Sequence, residues 1–257
     1  MNYNYHTHTP LCAHASGTPE EYIINAMKNG MEYMGFSDHI PFICVNGNQS
    51  GYRVPYDKGK IYCEEIKKLA LKYKDKIDIK VGFEMEYYPE NFEEMLKSAR
   101  EFGAEYLILG EHFVCDESIN GHYSSRENED FDLLKAYVDN VCDAIKSGVF
   151  SYVAHPDMFN FVGDNEIYRE QMRRICKASK EYDIPLEINI LGIRTNRIYP
   201  NKKFLKIAAE EKSPIVFGLD AHSTEDSYDG ESFKKAMELV NELGLNYIGR
   251  PKIISIK

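Results

Sequence analysis

The chain has 257 residues, 43% of them hydrophobic, enough to fill one large core. Its 41 acidic residues outnumber its 31 basic ones, for a formal charge of −10 with no basic run, which argues against a surface that grips a nucleic-acid backbone. Six scattered cysteines without a Cys-x-x-Cys pair, a polar N-terminus and no apolar run near the roughly 20 residues of a membrane span lead to the expectation of a cytoplasmic protein with reduced thiols, no signal peptide and no membrane contact.

Strand-like and helix-like stretches alternate from end to end. The opening stretch reads as a strand that carries His6-Thr7-His8, whose two imidazoles then share one face. Thr18-Pro19-Glu20-Glu21 is a capping box, and the helix it starts stops near Asn29-Gly30. An apolar run over 33–36 ends in Ser37-Asp38-His39, followed by a polar loop from Pro41 to Pro55. A helix over 57–74 leads to a strand over 77–83 that ends in Glu84-Met85-Glu86. Next come a helix over 91–102, a strand over 106–109 ending in Gly110-Glu111-His112, and a second polar loop over 115–130. A helix over 131–147 precedes the strand 150–154, which ends in His155-Pro156. A helix over 166–182 leads to the strand 184–190, with Glu187 and Asn189 on one face. A helix over 201–211, a strand over 214–219 ending in Asp220-Ala221-His222, a helix over 231–243 and a closing tail from Leu245 complete the chain.

These alternations make about seven βα units around a parallel sheet, with no repeat or linker to mark a domain boundary, so residues 1–257 are expected to form one domain. His6, His8, His39, Glu84, His112, His155, Glu187, Asn189, Asp220 and His222 all fall at or just after strand C-termini. An open sheet would spread these ends along a wide edge, whereas a barrel gathers them into one ring. The expected fold is therefore a distorted TIM-like (β/α)7 barrel with its site at the C-terminal face. Seven of the eight histidines (His6, His8, His14, His39, His112, His155, His222) and the carboxylates Glu84 and Asp220 fit one cluster, while His122 reads as a plain loop residue. Singly, each has an ordinary explanation: His155 in a turn, Asp220 as a helix cap, His14 as a solvated loop residue. Together they would be costly to bury without counter-charge. Imidazole and carboxylate ligands without thiolate suit Zn, Fe or Mn, and nine ligands suit two or three ions, with Glu84 the natural bridge.

The combination His-Thr-His, Ser-Asp-His, Gly-Phe-Glu, Gly-Glu-His, Ala-His-Pro and Asp-Ala-His resembles the polymerase-and-histidinol-phosphatase (PHP) superfamily. Glu-Ile-Asn followed by Gly-Ile-Arg and Tyr-Pro is similar to its histidinol-phosphate phosphatase branch. The resemblance implies a distorted barrel with three divalent metal ions. The first ion would rest on His6, His8, Glu84 and Asp220, the second on Glu84, His112 and His155, and the third on His14, His39 and His222. It implies hydrolysis of L-histidinol phosphate in histidine biosynthesis. The expected chemistry is in-line attack by a hydroxide between the first two ions, with Asp220 a candidate to carry a proton.

Arg194 and Arg197 follow the Glu187–Asn189 strand end and are expected to fork onto phosphate oxygens, with Glu187 or Asn189 meeting a polar leaving group. Asp38 and Glu86 are expected to stand behind the ligands. Two other readings compete: a PHP phosphoesterase acting on nucleotides or short oligonucleotides, and a metal-binding module without catalysis. The expected partner is a small phosphorylated substrate; nothing in the sequence specifies an oligomer.

Overall fold

In the computed structural model, which describes residues 1–119 and 121–256, one sheet of eight parallel strands follows the chain order from β1 to β8. The strands are β1 (Tyr3–Asn4), β2 (Tyr33–His39), β3 (Asp78–Met85), β4 (Tyr106–Leu109), β5 (Phe150–Val153), β6 (Leu186–Asn189), β7 (Pro214–Gly218) and β8 (Asn246–Tyr247). The helices are α1 (Pro19–Lys28), α2 (Gly59–Tyr73), α3 (Phe92–Phe102), α4 (Phe131–Ser147), α5 (Asn165–Tyr182), α6 (Ile190–Thr195), α7 (Lys202–Glu211) and α8 (Gly230–Leu243). A crossover returns each strand to the same end as the one before, so every C-terminus points the same way. Among the described residues, no helix is long and apolar enough to cross a membrane.

The central strands are covered on both faces, which is why β4, β5, β6 and β7 are buried at every position rather than at alternate ones. One face packs on the helices. The other fills the barrel with Tyr3, Tyr5, Tyr106, Ile108, Tyr152 and Val216, alternate residues of their strands. Side chains set the helix starts as the sequence indicates. Thr18 and Glu21 complete the capping box of α1, and Asp130 and Asp164 accept from the first-turn N–H groups of α4 and α5.

The seven expected βα units are present, and an eighth strand follows them. Asn246–Tyr247, expected within the closing tail, pairs with the first residues of β7 in the register Pro214↔Asn246 and Ile215↔Tyr247. Two half-exposed residues carry no periodic signal, so this strand was invisible in the sequence. Helix α6 was also unforeseen; one turn and a half after β6, it is capped by the Asn189 side chain accepting from Gly192 N–H.

The upper edge of β7 is met by the N-terminal segment. Thr7 bridges Ala221 in parallel, His8 N–H donates to Ala221 C=O (2.9 Å), and Ala221 N–H donates to His6 C=O (3.2 Å). At the base, the hydroxyls of Tyr3 and Tyr247 meet at 3.3 Å. The ring therefore closes at its mouth through His6-Thr7-His8 itself, just beyond the short β1.

Candidate metal centre

Strand ends deliver the candidate ligands to one buried cluster. Glu84 is 1% exposed and sits in its centre with its two oxygens facing different groups. Oε2 lies 3.4 Å from Nε2 of both His6 and His8 and 3.3 Å from Nδ1 of His39, while Oε1 lies 3.5 Å from His112 Nε2 and 2.9 Å from His155 Nε2. Asp220 Oδ1 stands 3.6 Å from His6 Nε2 and 3.3 Å from His8 Nε2. Ligands bonded at about 2.0–2.2 Å to one tetrahedral ion stand about 3.3–3.6 Å apart. The four separations among His6, His8, Glu84 and Asp220 match that spacing. The ring nitrogens of His14, His39 and His222 form a further group within 4.8 Å of one another. His39 also groups with Glu84 and His112, so it stands between two sites.

The unpaired atoms show what the cluster suits. Among the described residues, nine buried side-chain N or O atoms have no hydrogen-bond partner, and six belong to candidate ligands: His6, His8, His39, Glu84, His155 and Asp220. Buried polar atoms are normally satisfied, so a concentration of orphans in one place marks where cations belong. The residues fit divalent ions.

The imidazoles are held from behind. His6 Nδ1 meets Glu187 Oε2 at 2.9 Å, His112 Nδ1 meets Glu86 Oε1 at 2.9 Å, and His8 Nδ1 lies 3.4 Å from Asp38 Oδ1. His14 Nδ1 meets Cys12 C=O at 2.7 Å, and His222 Nδ1 meets Asp220 C=O at 3.0 Å. Each such contact favours a proton on Nδ1 and leaves Nε2 to face the cluster. Glycines at the neighbouring strand ends leave room for the carboxylates. A Cβ on Gly110 would overlap the Glu84 carboxylate, and one on Gly218 would overlap that of Glu187. Two candidate ligands occupy the left-handed backbone region, His155 at φ 30° and Asp220 at φ 49°. This costs about 1–2 kcal/mol for a residue with a Cβ, a sign that aim was favoured over local comfort.

The charges are mutually adjusted. Burial alone would lower the His6 imidazole, but Asp220, Glu187 and Glu84 outweigh it and raise its pKa well above the ordinary value. His8 behaves likewise, with burial overcome by Asp220 and Asp38. Burial would raise Glu84 and Asp220, yet the surrounding histidines hold both well below the usual carboxylate range. Burial and the neighbouring His8 push His222 down to about 4, leaving it a neutral ligand.

A cavity of about 610 Å³ opens above the cluster. Tyr52, Phe113, Tyr123 and Tyr199 form its aromatic walls, and Arg126 and Arg197 add positive charge. Arg197 Nη1 donates to Tyr199 Oη at 2.9 Å, which aims it. Of the expected substrate contacts, only Arg197 lines this cavity. Arg194 instead pairs with Asp226 (3.1 Å) and Asp229 (3.4 Å), because its place on α6 directs it toward the start of α8. Glu187 and Asn189 are 2% and 1% exposed and serve the ligands: Asn189 Nδ2 donates to Glu187 Oε1 (2.6 Å) and to Asp220 Oδ2 (3.0 Å). His122 lies off the cavity beside Asn128, as a loop residue would.

Sequence reasoning missed the aromatic walls and Arg126, for which no motif exists. It also missed Cys12, whose sulfur groups with His8 and His222 although the ligand set was read as free of thiolate. The Cys-x-His spacing of Cys12 and His14 was the available signal.

Several known proteins resemble this chain in sequence or fold. The chain is 27% identical over 247 residues to the "Probable histidinol-phosphatase" of Deinococcus radiodurans, covering 93% of this chain and 92% of the relative. It is 26% identical over 259 residues to the histidinol-phosphatase of Bacillus subtilis, covering 89% and 96%. Its fold matches the crystal structure of histidinol phosphate phosphatase from Lactococcus lactis complexed with zinc, L-histidinol and phosphate. That match has a TM-score of 0.71 at 19% identity and covers 99% of this chain and 97% of the other. The profile of the PHP domain matches residues 4–190, well over half of the sequence, and the chain belongs to the PHP domain family.

Proposed function

We propose that this chain is a metal-dependent phosphomonoesterase that converts L-histidinol phosphate and water to L-histidinol and phosphate. The observation that carries the reading is Glu84, whose two oxygens face two separate sets of imidazoles at the floor of a cavity with an arginine on its wall. His6, His8, Glu84 and Asp220 would hold a first ion, Glu84, His112 and His155 a second, and His14, His39 and His222 a third. Divalent ions bound there would neutralise phosphoryl oxygens and lower the pKa of a water molecule to a useful range.

The protein's own groups do the rest. Arg197, steadied by Tyr199, is placed to fork onto a phosphate oxygen pair. Asp220 lines the cavity with Oδ2 fixed by Asn189, which aims Oδ1 at the position of the first ion. The walls Tyr52, Phe113, Tyr123 and Tyr199 suit a planar imidazole, and their ring faces suit an ammonium. The names of the relatives and the zinc, histidinol and phosphate of the Lactococcus lactis protein support the same substrate. The net charge of −10 weighs against the oligonucleotide reading.

The test is phosphate release by protein loaded with Zn, Mn or Fe from L-histidinol phosphate, a nucleoside monophosphate and a dinucleotide. The expected result is a kcat/KM for histidinol phosphate at least tenfold above the others. Preference for either nucleotide would replace this reading, and a zero rate on all three would favour a metal-binding module.

A further inference from the structure

Two loops roof the cavity. Residues 41–58 supply Gly51 and Tyr52, and residues 111–119 and 121–130 supply Phe113, Tyr123 and Arg126. They meet at one buried cation, Arg53, which is 2% exposed. Its Nε and Nη2 donate to the two oxygens of Glu117 (2.8 and 3.2 Å), a forked pair that joins one loop to the other. Its Nη1 donates to Glu86 Oε2 (2.8 Å) and to Ile40 C=O (3.3 Å), and Nη2 also donates to Tyr88 Oη (3.3 Å). The guanidinium lies 5.0 Å from the ring centre of Tyr52 and 5.5 Å from that of Phe42. Every arm of the side chain is therefore committed inside the protein.

The second oxygen of Glu86 leaves this knot. Oε1 meets His112 Nδ1 at 2.9 Å, and His112 Nε2 faces Glu84 Oε1 at 3.5 Å. Glu117, Arg53, Glu86 and His112 thus form one continuous line of charge from the roof to the floor. One cation between two buried carboxylates leaves a net negative charge, and the contact with His112 carries that charge to the cluster. A carboxylate behind an imidazole raises its basicity and fixes its ring. Only a planar fork can satisfy Glu117, Glu86 and Ile40 from one position; a lysine ammonium in its place would drop at least one of them.

We infer that Arg53 is a positioning residue that couples the roof of the substrate cavity to the ion site built on His112. Holding Glu86 against His112 sets the affinity of that site, and holding Glu117 sets the placement of Tyr52 and the facing loop. Linkage makes the effect reciprocal: an ion at His112 steadies the roof, and a closed roof tightens the ion. His6 and His8 lean on Glu187 and Asp38 instead, so the sites they serve should not respond.

The inference rests on the three-ion reading, and its test separates the two. Zinc is titrated into metal-free wild type, Arg53→Lys and Glu117→Gln against a chromophoric chelator, without substrate, with Tm measured on each. Wild type that takes up no zinc defeats the three-ion reading. Given wild-type uptake, the expected result is that Arg53→Lys weakens one ion of the three by about 10–100-fold and leaves the other two unchanged. Glu117→Gln should weaken the same ion by less and raise KM for histidinol phosphate. Wild-type affinity at all three sites in both variants, or an equal loss at all three, overturns the coupling. Should Arg53→Lys fail to fold, Glu117→Gln decides alone, and unchanged affinity for that ion overturns the inference.

Discussion

On the floor of the cavity, His6, His8 and His112 each lean on a buried carboxylate, and Gly110 and Gly218 clear space for Glu84 and Glu187. On the roof, the residues that face the cavity are aromatic rings and an exposed arginine carried by two long loops. The floor is anchored to strand ends, where a shift of one residue would turn a ligand into the core. The roof hangs instead on bonds between loops: Arg53 with Glu117, Val45 N–H with Asp116, and Ser124 and Asn128 with the backbone of Asn160. The contrast separates the chemistry from the choice of substrate: a preorganised floor fixes what the site does, and adaptable loops select the molecule that enters.

The largest effect that can break this division belongs to Glu84. Glu84→Gln keeps the shape but removes the charge that faces both sets of imidazoles, so the first and second ions should be lost together. We expect a fall in zinc affinity beyond the roughly 100-fold limit of an outer contact, with phosphate release reduced to background. Elemental analysis after dialysis checks it. Glu187→Gln acts one layer further out. Weakening the support of His6 should lower zinc affinity about 10–100-fold, read by chelator competition, while a substrate-contact role would instead raise KM with zinc unchanged.

Arg197→Ala probes the roof side. Losing one charge-assisted hydrogen bond of about 1.5 kcal/mol should raise KM about tenfold, with full zinc content. Arg194→Ala should leave kcat/KM nearly unchanged, since its half-buried pairs with Asp226 and Asp229 hold it off the cavity.

The smallest effect is a pH dependence. In the metal-free chain, Asp220, Glu187 and Glu84 overcome burial to keep His6 protonated above its ordinary pKa, and His8 follows for similar reasons. Ions must displace those protons. Zinc affinity should therefore rise with pH through neutrality, by at most about tenfold per pH unit for each proton released. Calorimetry in buffers of different ionisation enthalpy reads the number released; no release would contradict the charge state assigned to these histidines.

The same contrast explains what could be read in the sequence. The floor was legible because its ligands end apolar runs, and a parallel sheet brings such ends together; the carboxylates Asp38 and Glu86 were legible as neighbours of those ligands. Glu187 and Asn189 were placed on the right strand, but their contacts with His6 and Asp220 were not legible, because a sequence does not say whether a strand-end side chain points outward or under a neighbour. The direction of Arg194 was hidden for a similar reason: it lies on the short α6, whose six residues left no periodic trace. Arg53 was hidden altogether. Its partners lie 33 and 64 positions away, a distance that no local pattern spans.

The most direct test of the central claim is the crystal structure of the zinc-loaded protein, with the ions located by anomalous scattering. Two peaks are expected on either side of the Glu84 carboxylate, one also touching His6, His8 and Asp220 and the other His112 and His155. A third should lie among His14, His39 and His222. A single peak, or none in contact with Glu84, would contradict the claim.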